Sequence, residues 1–381
     1  MRIGFFMTGK HIGRGGMETV IKLLSKELIA QNHQTILYSV LPMDFPDIYS
    51  SFSKTVISDV IPKWLQTKRF FRPRLLYSFY KNLAINNLAD IQIQDNLDAL
   101  LLLDNNKGTI KAFNTLAYLR KKSPKTKVFF YPHGTLKRVM KKSSIKKFVS
   151  NTDGALAISS GIQSELDTIS RQLGSPRPIH TIYNPVPLAP LMPRPLKGVR
   201  LVFIGRMDKN KRIIELLRIV SHLKGDWTLD IVGDAPSPHY KKEIVRALQK
   251  YNLNKHVRLH GWQAQPWNVF DNASVTLLHS RSEGLPLVLI ESIMRGIPCV
   301  AADCPTGPAD IIQDGYNGWL YPVNDETKAQ QILQEIIDGV RLLPSPNDVH
   351  ATAAKFSADK VIERLLLAIE STPLENPSTE N

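Results

Sequence analysis

Two cysteines, Cys299 and Cys304, are all that 381 residues contain. That excludes a disulfide framework and points to a reducing compartment, the cytoplasm. Cys299 lies in an apolar stretch and reads as a small core residue. No run of 18 apolar residues occurs, so no membrane-spanning helix is expected. The opening stretch Arg2-Ile3-Gly4-Phe5-Phe6-Met7-Thr8 lacks the apolar core and cleavage site of a secretory signal. No Asp-x-Asp occurs, and no His/Cys cluster has metal-ligand spacing, so neither a metal nor another cofactor is expected. The absence of a Gly-x-Ser-x-Gly elbow argues against a Ser/His/Asp hydrolase. The spaced glycines of a dinucleotide fingerprint and the lysine of a P-loop are missing too.

What is present is a long basic chain with enough apolar content, 43%, for folded globular domains. Its length favours two domains rather than one core. The net charge of +15 is unevenly placed. Residues 1–190 carry 27 Lys and Arg against 12 Asp and Glu, whereas residues 191–381 carry 22 of each. Excess positive charge confined to one half implies an anionic partner there, whether membrane surface, phosphate-bearing polymer or nucleic acid.

Short apolar runs alternate with helical patterns throughout. Ile3–Met7, Thr35–Val40, Val56–Val60, Ile91–Gln94, Val128–Tyr131, Ala155–Ile158 and Ile179–Tyr183 form one series of expected strands. Leu201–Ile204, Thr228–Val232, Val257–Leu259, Val275–Leu278, Pro298–Ala301 and Gly318–Tyr321 form a second. Such alternation predicts an α/β chain with two doubly wound parallel sheets flanked by helices. Seven prolines between Pro176 and Pro195 mark a stiff connector. The expected organisation is a Rossmann-like domain over 1–184, a linker over 185–198, a second Rossmann-like domain over 199–371 and a polar tail over 372–381. The last helical stretch, Ala358–Ile369, is a candidate to pack back on the first domain. Ligands of such folds bind at the carboxyl ends of the strands, here expected in a cleft between the two sheets.

The chemistry concentrates at those strand ends. Glu283 and Glu291 bracket Gly284-Leu285-Pro286-Leu287-Val288-Leu289-Ile290, which reads as a tight turn opening a helix after the strand Val275–Leu278. Proline suits the start of a helix, where its missing N–H would be unpaired anyway. First-turn N–H groups and the positive dipole end make a seat for phosphate. Two carboxylates beside that seat would grip hydroxyls on either side of a bound anion. The same pair is also what a dipole-stabilised glutamate and a solvated one would give. Gly205-Arg206-Met207-Asp208-Lys209-Asn210-Lys211 follows the first strand of the second series, and Arg206 and Lys211 are placed to converge on one anion. Gly13-Arg14-Gly15-Gly16-Met17-Glu18 lets backbone approach a ligand at a helix start, or is a plain turn. His133 follows the strand Val128–Tyr131 and is either a donor to a hydroxyl or a structural histidine. Val232-Gly233-Asp234 and His260-Gly261-Trp262 end two further strands, and Trp262 reads as core in preference to a stacking platform.

Taken together these residues resemble the family 4 retaining glycosyltransferases, which have the GT-B fold. The likeness covers most of the chain and is strongest over 201–322. The Glu283-to-Glu291 spacing matches that family's two-glutamate motif, Arg206 and Lys211 its basic pair, Gly15-Gly16 its N-terminal glycine loop and His133 its cleft histidine. The segment Asp303-Cys304-Pro305-Thr306-Gly307-Pro308 with Asp310-Ile311-Ile312, Gly315 and Asn317-Gly318 looks like members that build bacterial surface glycans, hexosyltransferases among them. By that resemblance Glu283 would contact the donor sugar, Glu291 the ribose, and Gly284, Leu287 and Val288 with Arg206 and Lys211 the diphosphate. It implies transfer of a hexose from a nucleotide-diphosphate sugar, UDP favoured, to a surface glycan, teichoic-type polymer or lipid-linked acceptor, with retention and without a metal. One departure is Arg212, where the family often has glycine.

The acceptor side is basic. Lys137, Arg138, Lys141, Lys142, Lys146 and Lys147 crowd residues 134–150, which contain no acid. Lys68, Arg69, Arg72 and Arg74 lie beside Phe70, Phe71 and Tyr77. Such mixtures suit an anionic membrane interface or a polyanionic acceptor, and a solvated basic face has the same composition. Nucleic acid is not the expected partner, because the basic half adjoins the expected sugar-transfer cleft. The expected location is cytoplasmic, peripheral on the inner face of the cell membrane if the patch meets lipid. The competing functions are a phosphorylase or epimerase on the same fold, or a carbohydrate- or polymer-binding protein without turnover.

Overall fold

The computed structural model describes residues 1–7, 16–41, 46–61, 74–103, 122–134, 136, 151–172, 174 and 176–374. The chain divides into two compact units, Met1–Pro185 with Ala358–Asn381, and Val186–Ser357.

The first unit is built on seven strands among the described residues: β1 (Arg2–Met7), β2 (Gln34–Ser39), β3 (Lys54–Ile57), β4 (Ala99–Leu102), β5 (Lys127–Phe130), β6 (Gly154–Ala157) and β7 (Ile179–Thr181). They pair in the order β3-β2-β1-β4-β5-β6-β7, every neighbour parallel. The central strands are apolar without alternation, as burial on both faces requires; Ala99-Leu100-Leu101-Leu102 is wholly buried. Helices fall where local chemistry allows. The Ser160–Arg171 helix is capped by Ser159, whose hydroxyl accepts from the Ile162 N–H at 3.3 Å.

Here one expectation is corrected. Ile91-Gln92-Ile93-Gln94 alternates like a strand, yet it is the last turn of the helix Arg74–Asp95. Ala84, Ile85, Leu88, Ala89 and Gln92 are the buried positions, a 3.6-residue period that overrides the local alternation. Tyr38 fastens the helix end by donating to the Asp95 carboxylate at 2.6 Å, and Asn96 then turns out with φ 48°. The strand follows five residues later as β4.

The terminal helix Ala358–Ser371 belongs to the first unit; the expected boundary placed it in the second domain, and its candidate packing on the first is what the unit division shows. It packs against the helix Gly16–Ala30, and Lys127 Nζ donates to its last carbonyls, Ile369 at 2.6 Å and Glu370 at 2.9 Å. A cation there satisfies acceptors that a helix end leaves open.

The second unit carries β8 (Val199–Ile204), β9 (Trp227–Val232), β10 (Val257–Gly261), β11 (Val275–Leu278), β12 (Cys299–Asp303) and β13 (Gly318–Pro322). Their order is β10-β9-β8-β11-β12-β13, again parallel throughout. Leu201, Phe203, Leu229, Ile231, Val275 and Leu277 centre its core with the helix Ile213–Val220 over them. The proline-rich connector is tied to this unit: the Val186 and Met192 N–H groups donate to the Phe356 and Arg295 carbonyls at 3.2 and 2.9 Å. In both sheets the strand order reverses beside the first strand, and the loops that leave the carboxyl ends at that reversal form the binding edge of such folds. In the second unit those loops follow β8 and β11. They contain Arg206, Lys211 and Glu283.

Candidate active site

The loop after β8 is folded by its own backbone. The Gly205 N–H donates to Val232 and the Met207 N–H to Asp234, both at 2.9 Å. Gly233 must be glycine, because a Cβ there would lie 1.9 Å from the Gly205 carbonyl oxygen. The Asp208 carboxylate then accepts from the Asn210 and Lys211 N–H groups at 3.0 and 3.1 Å, an Asx-type turn. Arg212 takes φ 54° and ψ 46° just before the helix Ile213–Val220. That left-handed backbone is what glycine accepts without strain. Arginine is held there instead by Asn324 at 3.1 Å and Glu326 at 3.3 Å, and the helix starts normally.

A second loop leaves β11 and closes onto the first. Arg281 N–H donates to the Asn210 carbonyl at 2.9 Å. Asn210 Nδ2 donates to the Ser282 carbonyl at 2.8 Å, and Ser282 Oγ returns to Asn210 Oδ1 at 3.2 Å. This zipper places Lys211 Nζ 2.8 Å from Glu283 Oε1, both side chains mostly buried. The Thr306 hydroxyl donates to the Glu283 carbonyl. Beneath the turn, Gly307 at φ 92° leaves no room for a Cβ, which would fall 2.8 Å from the Gly284 carbonyl oxygen.

The helix expected after the turn runs Leu287–Met294, with Pro286 at its N-cap and no side-chain cap. First-turn N–H groups of an α-helix have no intrahelical acceptor, so those of Leu287 and Val288 remain for a ligand. Glu291 sits a little over one turn into the helix. Its Oε2 accepts from the Trp267 indole N–H at 2.8 Å.

The structure brings Lys211 and Glu283 into contact and sets Gly284, Leu287 and Val288 at the same helix start. Arg206 does not join Lys211; its guanidinium lies 3.4 Å from Asp208 and its side chain is 76% exposed. In the first unit, Gly16 opens the helix Gly16–Ala30 and is exposed. His133 follows β5, half-buried, its ring centroid 4.4 Å from that of Tyr131. Gly15 lies outside the described residues. So do Lys137, Arg138, Lys141, Lys142, Lys146 and Lys147, together with Lys68, Arg69, Phe70, Phe71 and Arg72. Trp262 is 49% exposed at the end of β10, so it does not fill the core as expected. Trp267, Thr306 and Asn210 hold the site residues and were missed. Thr306 lay in a segment already singled out, but nothing in residue spacing marked Trp267.

Burial shapes the ionisable groups around this edge. The His279 imidazole, at the end of β11, is pushed down to about 4 by burial, with Arg212 adding to the shift; its Nδ1 is 2.8 Å from the Tyr321 hydroxyl. The Cys304 thiol is pushed up to about 12 by burial, reinforced by the Glu283 charge, so it stays protonated at neutral pH. Among the described residues no cluster of three or more His, Cys, Asp or Glu is placed to hold a metal ion. None of the described helices is long and apolar enough to cross a membrane.

Two parallel α/β sheets in separate units, with these loops, are the GT-B architecture. The solved structure of the lipopolysaccharide outer core galactosyltransferase WaaB, in its apo form, superposes with a TM-score of 0.78 at 25% identity, over 98% of this chain and 100% of that one. Anabaena Alr3699/HepE, crystallised with UDP, shares the fold with a TM-score of 0.77 at 17% identity, over 97% and 100%. The sequence models "Glycosyltransferase Family 4" and "Glycosyl transferases group 1" match residues 14–189 and 193–356. The chain belongs to the family 4 glycosyltransferases. The lipopolysaccharide 1,6-galactosyltransferase of Escherichia coli K12 is 34% identical over 247 residues, 62% of this chain. The match spans just under two thirds of that relative, 66% of its length.

Proposed function

We propose that the protein is a retaining hexosyltransferase of bacterial surface-glycan synthesis that uses a nucleotide-diphosphate sugar, UDP favoured. The observation that carries the reading is the Lys211–Glu283 pair, 2.8 Å apart, beside the helix start at Leu287. A diphosphate seated on the Leu287 and Val288 N–H groups would meet Lys211, and the exposed Arg206 fork would swing from Asp208 to join it. Glu283 would then accept from hydroxyls of the sugar and Glu291 from those of the ribose. Gly15, Gly16 and His133 are assigned to the donor by the family resemblance, His133 as a donor to a sugar hydroxyl. HepE was crystallised with UDP, which favours UDP here, and the Escherichia coli relative transfers galactose to lipopolysaccharide.

The chemistry these residues support is a same-face displacement. The bond from sugar C1 to the diphosphate oxygen loosens, and positive charge develops on C1 and the ring oxygen. Lys211, Arg206 and the helix N–H groups stabilise the departing negative charge. The acceptor hydroxyl oxygen bonds to C1 from the same face, and its proton passes to the leaving phosphate oxygen. No divalent ion is required, because cationic side chains and backbone N–H groups supply the positive field. The basic residues 137–147 are assigned to the acceptor or to an anionic membrane surface, with the enzyme working on the cytoplasmic face.

The test is a panel of nucleotide sugars incubated with the purified protein in excess EDTA, with slow donor hydrolysis and product anomer as readouts. Hydrolysis of one UDP-sugar and an α-linked product from an α-donor are expected. A strict divalent requirement, an inverted product or dependence on free phosphate would each overturn the corresponding part.

A further inference from the structure

Arg295 caps the helix Leu287–Met294 four residues after Glu291, a spacing that ordinarily gives a surface ion pair. Here it does not. The Arg295 guanidinium donates to the Glu291 main-chain carbonyl at 2.9 Å, and its carbon lies 4.6 Å from the centroid of the Trp267 ring. Trp267 is 6% exposed. It is delivered by the short 3-10 turn Pro266–Val269, and Phe270 packs edge-on against it at 6.1 Å. The same indole donates its N–H to Glu291 Oε2 at 2.8 Å. Among the described residues no hydrogen bond or ion pair engages Glu291 Oε1.

We propose that Trp267 is a positioning residue for Glu291. One edge of the indole fixes one carboxylate oxygen. The face of the indole takes up the arginine through a cation–π contact. The second oxygen is thereby kept as an acceptor for ribose hydroxyls instead of being neutralised by Arg295. The inference rests on the reading of Glu291 as the ribose contact and adds the device that holds it ready. A neutral N–H donor suits this task. It orients the carboxylate without cancelling the charge that strengthens hydrogen bonds to hydroxyls.

The experiment measures Kd for UDP and for 2′,3′-dideoxy-UDP by calorimetry on the full chain. The unaltered protein is expected to prefer UDP by at least about tenfold, the worth of a hydrogen bond to a charged group. In Trp267→Phe, Arg295 is released to pair with Glu291 and the preference falls to about threefold or less. Adding Arg295→Gln to that variant brings part of the preference back. If Trp267→Phe does not fold, benzothienylalanine at position 267 keeps the bicycle and removes only the N–H; the preference should again fall. An unchanged preference, with both ligands weakened equally, overturns the inference and leaves Trp267 as packing. Absence of recovery in the double variant overturns the role given to Arg295. A preference near one in the unaltered protein, or no UDP binding, is a failure of the nucleotide reading itself.

Discussion

Removing one member of the Lys211–Glu283 pair should damage stability and turnover together, whereas removing both should separate them. At an effective dielectric near 20, unit charges 2.8 Å apart attract by about 6 kcal/mol. Desolvation of the two groups offsets most of that. Stranding one charge is another matter, because it loses its partner and stays desolvated, a loss of about 3–5 kcal/mol. With 16% and 12% of the side chains still exposed, the lower end, about 3 kcal/mol, is expected for Lys211→Met or Glu283→Gln. The double variant leaves no stranded charge and should recover to within about 1 kcal/mol of the parent. Turnover behaves differently, since Lys211 is assigned to the leaving diphosphate and Glu283 to the sugar. Each single variant should lose at least about 100-fold in donor hydrolysis, and the double variant should not regain it. Urea unfolding and a coupled UDP-release assay read the two quantities. Wild-type turnover in both single variants would refute the site. Additive destabilisation in the double variant would refute the coupling.

Three further outcomes follow from particular groups. His279 is held neutral, with its value lowered from 6.5 to about 4. The unfolded chain therefore takes up this proton first, and stability is lost as pH falls from about 6.5 toward 4. Between pH 7 and pH 5 the loss is about 2 kcal/mol, and His279→Gln should flatten that slope in pH-dependent urea titrations; an unaltered slope would show that other groups set it. Arg212 at φ 54° makes Arg212→Ala worse than Arg212→Gly by about 1 kcal/mol, since both lose the guanidinium contacts and only alanine keeps the strain; equal midpoints would contradict this. Changing Lys141, Lys142, Lys146 and Lys147 to Gln should weaken binding to phosphatidylserine vesicles by roughly 100- to 1,000-fold, at about 1 kcal/mol per lysine, and leave donor hydrolysis unchanged. Undiminished vesicle binding would remove the membrane role of that patch.

Alternation and apolar runs were enough to foresee two parallel sheets, because a strand buried on both faces leaves a continuous apolar signature that needs no tertiary knowledge. The same signal failed at Ile91–Gln94. Four alternating residues cannot outweigh the helical period of Ala84, Ile85, Leu88, Ala89 and Gln92, and the neighbouring Tyr38–Asp95 bond, 57 positions apart, is invisible in a local window. Glu283, Lys211 and Glu291 were legible because loop glycines, proline and charged residues at strand ends carry their meaning locally. Their supports were not. Trp267 meets Glu291 across 24 positions and Lys211 meets Glu283 across 72, distances set by how strands are ordered in the sheet. Arg212 was visible only as a departure, and its left-handed backbone gives the reason a glycine is favoured there.

The amino-acid order alone therefore determined most of the strands and helices, Ile91–Gln94 excepted, and which side chains stand at their ends, since both depend mainly on residues within one or two turns of each other. The fold decided which of those ends meet. Reversal of strand order beside β8 joins the loops of β8 and β11, and only that juxtaposition makes an ion pair of Lys211 and Glu283. It decided as well that the final helix completes the first sheet's unit, because the apolar faces of Gly16–Ala30 and Ala358–Ser371 are buried against each other by three-dimensional contact, at opposite ends of the chain.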